Sequence, residues 1–496
     1  MNKQIRRLTA ALLACYLILF VQLNLLQVVK RDALASNTNN NRAVLRDFDR
    51  PRGSIVTADG VVIASSQPAA ATDTKFKFQR VYPKGDLFAS VSGYYTFAFG
   101  ATKLEKKYTE VLAGRTSAQQ LGNITNIFNG QDNTGSVRLT MRADLQQVSK
   151  DALADREGSV VVMDPRTGAV LAMYSNPTYD PNLVAVHDAK QARVVLDFLN
   201  AYPGKPLLAN AYQERYMPGS TFKIVTTATG IEDGLLTFDS FWPDERSYTP
   251  PQTTNPIENY GGEVCGGDLR TVFRRSCNTP FARTAVELGA EKMVAGTKAW
   301  GIGEPIPFDL PGGAVSHFGE VADFADAIPK LAIRGFGQDE ASIVPLQMAM
   351  FASTVANGGV MMKPYVVDAT LDHAGKILTQ TVPSAWKTPI SPNTAAMMNE
   401  LMVGVVQNGT AKCCMQLDNG VQAAAKTGTA QLNAKGQPQR SHAWITAFAP
   451  AEAPQYTVAV ILKGTTDQIS AGTGGKLAGP IAKTILDYAL AHPLGI

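Results

Sequence analysis

The sequence predicts an α+β fold built on a five-stranded antiparallel sheet flanked by helices. Three observations carry that reading. Two short apolar runs near residue 160 flank a turn. Three more strand-like runs return after residue 420, and the stretch between is helical in pattern with Pro- and Gly-rich interruptions at 243–267 and 301–313. Early and late strands belong in one sheet, with the helical region inserted between them and packed on its faces. The 496 residues suffice for two or three domains. They divide as a cytoplasmic tail (1–7), a transmembrane anchor (8–29), an N-terminal structural or docking domain (30–155) and the main domain (156–496).

Leu8 to Val29 is an apolar run of bilayer-spanning length, interrupted only by Gln22, Asn24 and Gln27. Lys3, Arg6 and Arg7 precede it, which places the N-terminus in the cytoplasm and the rest of the chain outside the membrane. Lys30 and Arg31, on the other side, weaken the asymmetry without reversing it. A cleaved signal peptide is the rival reading. The run is longer than a signal core, and no small-x-small site directly follows it. The Asn-rich stretch 36–42 reads as a linker. From Arg52 to Ala64, two apolar strands around Asp59-Gly60 read as a hairpin. A helix is expected near Lys103 to Leu112.

In the main domain, Ser159 to Asp164 and Ala169 to Tyr174 flank the turn 164–168 as a second hairpin. A helix is expected over Thr221 to Thr229. Val421 to Gln431, His442 to Pro450 and Tyr456 to Gly464 read as strands, and Leu477 to Ala491 as a closing helix.

Composition excludes several function classes. The net charge of +4, without a long basic run, gives no case for nucleic acid. The five His form no pattern with metal-ligand spacing, so no metal and no cofactor are expected. Cys15 falls in the anchor. Cys265, Cys277, Cys413 and Cys414 allow three pairings. A bond between the neighbours Cys413 and Cys414 strains the backbone, so a short loop closed by Cys265 and Cys277 is the favoured bridge. The alternative is four buried thiols.

Three strings supply the parts for serine acyl transfer without histidine. In Ser220-Thr221-Phe222-Lys223, the serine opens a helix where backbone N–H groups favour developing negative charge. Capping alone is what such a serine usually does. Lys223 shares the face of Ser220, and a lysine there works against the helix dipole, so proton transfer from Ser220 is a reason for it. In Ser276-Cys277-Asn278, Ser276 can relay a proton to a leaving group and Asn278 can hold a substrate amide. That tripeptide alone is common in loops. In Lys426-Thr427-Gly428-Thr429, on an expected strand, Gly428 leaves room for a substrate backbone to add alongside. Lys426, Thr427 and Thr429 can hold a carboxylate. The N–H groups of Ser220 and Thr429 can form an oxyanion hole.

In this order the three strings resemble those of the penicillin-recognising serine transferases. The flanks Arg52-Gly53-Ser54-Ile55, Met217-Pro218-Gly219, Gly335-Phe336-Gly337-Gln338, Pro345-Leu346-Gln347-Met348-Ala349 and His442-Ala443-Trp444 narrow the resemblance. They point to class B penicillin-binding proteins, and within these to the penicillin-binding protein A group of actinobacteria. The resemblance covers nearly the whole chain after the anchor. It implies a penicillin-binding, serine β-lactamase-like transpeptidase domain over 156–496 and makes 30–155 an N-terminal pedestal or dimerisation-like domain that holds it away from the membrane. It further implies a D,D-transpeptidase that cross-links peptidoglycan stem peptides through an acyl-enzyme on Ser220, with Lys223 as base, inhibited by β-lactam antibiotics. The stretch 30–155 is too short for a glycosyltransferase domain. Glycan polymerisation is therefore expected of an integral-membrane polymerase, with other wall-synthesis proteins as further partners.

Rival readings share the same parts. A β-lactamase or D,D-carboxypeptidase fits poorly with the anchor and the long N-terminal region, and nothing resembles the deacylating carboxylate motif of class A β-lactamases. A β-lactam-sensing receptor needs a larger membrane portion than one span. A non-catalytic scaffold fits poorly with intact Ser220, Lys223, Ser276, Asn278 and Lys426.

Overall fold

The computed structural model describes residues 3–25, 48–71, 73, 75–122, 133–418, 420–433 and 437–493. The apolar N-terminal segment forms the helix Lys3–Asn24, with no buried residue, and is long and apolar enough to cross a membrane. The helix starts earlier than the apolar run, taking in Arg6 and Arg7. The expected end of the span at Val29 and the Asn-rich stretch 36–42 lie outside the described residues.

The main domain is built on the expected five-stranded antiparallel sheet. Its strands are β1 (Gly158–Met163), β2 (Val170–Asn176), β3 (Ala424–Gln431), β4 (Ser441–Ala449) and β5 (Tyr456–Leu462), in the order β3-β4-β5-β1-β2. Every pairing is antiparallel. β1 and β5 are buried at every position, which is why they read as continuous apolar runs rather than alternating ones. Each fully buried Val or Ile there contributes about 1.5–3 kcal/mol relative to an exposed one. The helix Pro345–Ala356 packs on one face of this sheet, and Ala143–Leu153 with Gly479–Ala491 pack on the other. Pro345, at the first helical position, sets the start of a helix buried from Pro345 to Val355. The closing helix begins at Gly479 rather than Leu477, because Gly474–Leu477 forms a separate short turn of helix.

The N-terminal hairpin joins a six-stranded sheet in the order Ile377–Gln380, Val367–Leu371, Ser136–Leu139, Ile55–Val56, Val62–Pro68, Phe78–Val81. Ser136–Leu139 runs parallel to Ile55–Val56 and antiparallel to Val367–Leu371. Two strands from late in the chain thus complete a sheet that begins before residue 60. The crossing is held by Asp309, whose carboxylate accepts from Val366 N at 2.9 Å and Val367 N at 2.7 Å. Burial pushes that carboxyl up to about 6 despite these bonds.

The sequence also predicts one helix near Lys103 to Leu112, and the chain instead breaks it into Lys103–Lys107 and Thr109–Leu112. The break lets Glu105 sit fully buried between two guanidiniums, 2.6 Å from Arg52 Nε and 2.7 Å from Arg80 Nε. Burial raises the Glu105 carboxyl, but Arg80 and Arg52 outweigh it and hold the group below the usual carboxylate range. This triad explains Arg52 in the flank Arg52-Gly53-Ser54-Ile55. Gly53 has a separate cause: a Cβ there would lie 1.6 Å from Gly135 O.

Candidate active site

Ser220 does not open an α-helix. Gly219–Phe222 is a 3-10 turn, and the α-helix Lys223–Glu232 begins after it. Close packing imposes the tighter turn. Gly219 has φ +55° and donates to Gly337 O at 2.8 Å, and a Cβ on it would meet Thr429 O at 2.6 Å. The simple capping reading of Ser220 fails with this geometry, since the residue before the α-helix is Phe222. Trp444 Nε1 donates to Met217 O at 2.9 Å and pins the approach to the turn. His442 beside it accepts from Gly464 N at 3.0 Å, and burial lowers the imidazole to about 4, so it stays neutral.

Ser276 ends the helix Leu269–Arg275 in the left-handed region, at φ 61° and ψ 38°. A serine there costs about 1–3 kcal/mol, and the surrounding bonds must hold it. One holder is the Cys265–Cys277 disulfide, which ties the middle of Ser276-Cys277-Asn278 to the strand Cys265–Asp268. That strand pairs with Phe241–Glu245 inside a region that reads as an irregular interruption. Another is Asn259, whose Oδ1 accepts from Asn278 N at 2.7 Å and Thr279 N at 3.1 Å.

Lys223 and Lys426 are both fully buried and converge on Ser276. Lys223 Nζ donates to Ser276 O at 2.7 Å and to Asn278 Oδ1 at 2.9 Å, with Ser276 Oγ at 3.4 Å. Lys426 Nζ donates to Ser276 Oγ at 2.9 Å and Thr427 O at 3.1 Å. Burial, and then the charge of Lys426, hold the Lys223 amine well below the ordinary lysine value. Burial alone brings Lys426 down to about 7. A neutral amine has two N–H bonds and one lone pair. The two short bonds from Lys223 use both N–H groups and leave the lone pair for a proton.

β3, which carries Lys426-Thr427-Gly428-Thr429, is an edge strand of the sheet. Gly428 is explained by the enzyme itself rather than by room for substrate. A Cβ there would stand 2.7 Å from Pro218 O and 3.0 Å from Thr221 N, so the 3-10 turn occupies the space. Ser220, Ser276, Asn278, Thr427, Gly428 and Thr429 all line one cleft of about 1100 Å³, with Lys223 and Lys426 buried at its base. Sequence reasoning missed several cleft residues. Tyr260 reaches the wall from a 3-10 turn, Thr410, Cys413 and Thr473 from irregular segments, and Gly474 and Gly475 from the short helix Gly474–Leu477. Only the paired glycines Gly474-Gly475 carried a local signal. Gln338 lies in a flank without an assigned task, and its Nε2 donates to Thr429 O at 3.4 Å.

The cysteines depart from expectation in one respect. Cys413 and Cys414 also form a disulfide, with Cα atoms 3.8 Å apart. The adjacent pair sits in a tight turn in which Cys414 N and Met415 N both donate to Ala411 O at 3.0 Å, and that turn accommodates the bond that sequence reasoning disfavours. Cys15 is the free cysteine.

Comparison with known proteins agrees with this architecture. Residues 158–487 match the penicillin binding protein transpeptidase domain, and residues 52–137 match the penicillin binding protein A dimerisation domain. The chain is 35% identical to peptidoglycan D,D-transpeptidase PbpA of Mycobacterium tuberculosis over 99% of both chains. It is likewise 35% identical to PbpA of Mycolicibacterium smegmatis, again over 99% of both. Among solved structures, the penicillin G acyl-enzyme complex of M. tuberculosis penicillin-binding protein A superposes with a TM-score of 0.80 at 34% identity, covering 89% of this chain and 100% of that one. A D,D-transpeptidase domain from Eggerthella lenta gives 0.75 at 31% identity, covering 89% and 99%. The chain belongs to the penicillin-binding protein transpeptidase family.

Proposed function

We propose that this chain is a membrane-anchored serine D,D-transpeptidase that cross-links peptidoglycan stem peptides through an acyl-enzyme on Ser220. The observation that carries the reading is the convergence of Lys223, Lys426 and Ser276 beneath a cleft that Ser220 lines. Ser220 Oγ attacks the carbonyl of the penultimate D-Ala and gives its proton to the neutral Lys223 amine. The oxyanion is held by the N–H groups of Ser220 and Thr429. The terminal D-Ala leaves as its amine takes a proton from Ser276, which the proton Lys223 took from Ser220 replenishes, while Lys426 keeps its charge. Lys426, Thr427 and Thr429 hold its carboxylate, and Asn278 orients the donor amide. An amine of a neighbouring stem then attacks the ester. The edge of β3 suits a donor peptide that adds as a further strand. β-Lactams acylate the same serine and leave it slowly.

In this reading residues 1–7 face the cytoplasm, 8–29 cross the membrane once, 30–155 form the pedestal and 156–496 the extracytoplasmic catalytic domain. The expected partners are an integral-membrane glycan polymerase and other wall-synthesis proteins.

The test is labelling of the detergent-solubilised chain with a fluorescent penicillin, followed by peptide mapping. A stable adduct on the peptide bearing Ser220, absent in Ser220→Ala, is expected. No adduct on a folded chain overturns the reading, and rapid release of hydrolysed drug points to a β-lactamase.

A further inference from the structure

The turn from Gly409 to Met415 joins two of the three motifs, although nothing in its sequence resembles either. Its first residue lies flat on the helix that presents Ser276: a Cβ on Gly409 would meet Arg274 O at 2.4 Å, and Thr410 N donates to the same oxygen at 3.1 Å. On its other side Thr410 Oγ1 lies 2.6 Å from Thr427 Oγ1. The outer flank is closed by Gly475, where a Cβ would meet Thr410 O at 2.3 Å, and by Cys414, which a Cβ on Gly479 would meet at 2.9 Å. The Cys413–Cys414 disulfide closes the turn, and Thr410, Cys413 and Thr427 all line the cleft.

A pair of hydroxyls has one shared proton and one left over. When Thr410 donates, the oxygen of Thr427 is satisfied and its own proton is free to point into the cleft. When Thr427 donates instead, it has no proton to offer a ligand. An anion in the cleft selects the first arrangement, and the Thr410 dipole then strengthens the bond from Thr427. We propose that Thr410, held in place by the Cys413–Cys414 turn, is a positioning residue that aims the Thr427 hydroxyl at the substrate carboxylate. The inference rests on the transpeptidase reading, in which Thr427 contacts that carboxylate. Thr410 itself acts only through Thr427.

The experiment compares acylation of the full chain by benzylpenicillin and by its methyl ester, which lacks the anionic carboxylate. The half-saturation concentration and the limiting rate are measured separately for wild type, Thr410→Val and Thr410→Ser. Thr410→Val is expected to raise the half-saturation concentration for benzylpenicillin by about tenfold, the scale of one hydrogen bond to a charged group. The limiting rate changes little, Thr410→Ser restores binding, and the ester shows no difference between the three proteins. The double variant Cys413→Ala/Cys414→Ala should reproduce the Thr410→Val pattern in weaker form. Equal losses for acid and ester reveal a merely structural threonine and overturn the proposal, as does no loss for either. Should the double variant fail to fold, the Thr410 comparison decides alone. Failure of the wild type to be acylated by benzylpenicillin refutes the transpeptidase reading instead, which keeps the two failures distinct.

Discussion

Lys426 donates to the hydroxyl of Ser276 at 2.9 Å, across 150 residues of sequence. That bond joins the strand motif to the loop motif. Lys223 reaches the same residue, at 2.7 Å to its carbonyl and 3.4 Å to its hydroxyl, so Ser276 links the two lysines.

Burial lowers both amines, and the charge of Lys426 lowers Lys223 further, so the acylation rate should follow a bell in pH. Lys223 must be neutral to take the Ser220 proton, so the rate rises with pH as it loses its own. Lys426 must keep its charge to attract a carboxylate, and burial holds it at about 7, so the rate falls above neutrality. Stopped-flow penicillin acylation from pH 5 to 9 checks this. A rate that climbs without a descending limb excludes the assignment to Lys426.

The same burial has a consequence for stability. Lys103 and Lys426 are each held at about 7 by desolvation, whereas a lysine in the unfolded chain keeps its proton to about 10.4. Between these values the unfolded chain binds more protons, so stability rises with pH. The slope is at most about 1.4 kcal/mol per pH unit for each lysine. Urea midpoints measured at pH 7, 8 and 9 should increase. Lys103→Met should flatten the slope by its share, and a flat wild-type profile contradicts the argument.

Gly428→Ala tests the closeness of β3 to the 3-10 turn. The added methyl overlaps Pro218 O and Thr221, which must shift at a cost of about 1–3 kcal/mol. Because Ser220 lies between those two residues, acylation should slow by about 100-fold, the scale of a misplacement near 1 Å. The labelling rate together with the melting temperature checks this. Wild-type labelling shows that the glycine is not required by the turn.

Cys265→Ser with Cys277→Ser should cost about 2–4 kcal/mol and slow acylation as well, since the bridge is anchored between Ser276 and Asn278. A simpler check precedes it. Alkylation of the denatured chain without reductant should add one group, on Cys15, and intact mass reads that number directly.

Glu105→Gln leaves Arg52 and Arg80 buried without their shared carboxylate. The expected loss is about 3–5 kcal/mol, read as a lower urea midpoint. In the wild type the depressed carboxyl contributes stability that is present above the ordinary glutamate value and is lost as pH falls through its folded value. The variant should lack that acid limb. An unchanged midpoint argues against an ionised Glu105.

What sequence could reveal here followed from how far each cause reaches. β1 and β5 were legible because burial on both faces writes a continuous apolar run. Their ends were off by a residue or two, as hydrogen bonding rather than hydropathy sets them. Val367–Leu371 was illegible because its partner strand contains Arg138, whose bond to Asp368 spans 230 residues. The 3-10 turn at Ser220 was missed for a similar reason: Gly337 and Thr429, both far along the chain, press on Gly219. The three motifs were read from residue type and order. Thr410 and Asn259 were not, since a threonine and an asparagine in loops acquire their tasks only from neighbours that the fold delivers.

The late strands Val367–Leu371 and Ile377–Gln380 make the N-terminal sheet a joint possession of both halves of the chain. A protein cut near residue 156 would strip Val367–Leu371 of its neighbour Ser136–Leu139 and leave a bare row of amides and carbonyls looking for another chain. The catalytic half is thus no detachable cartridge: engineers who want it soluble must shorten the chain at the anchor, and evolution cannot readily transplant it without its base.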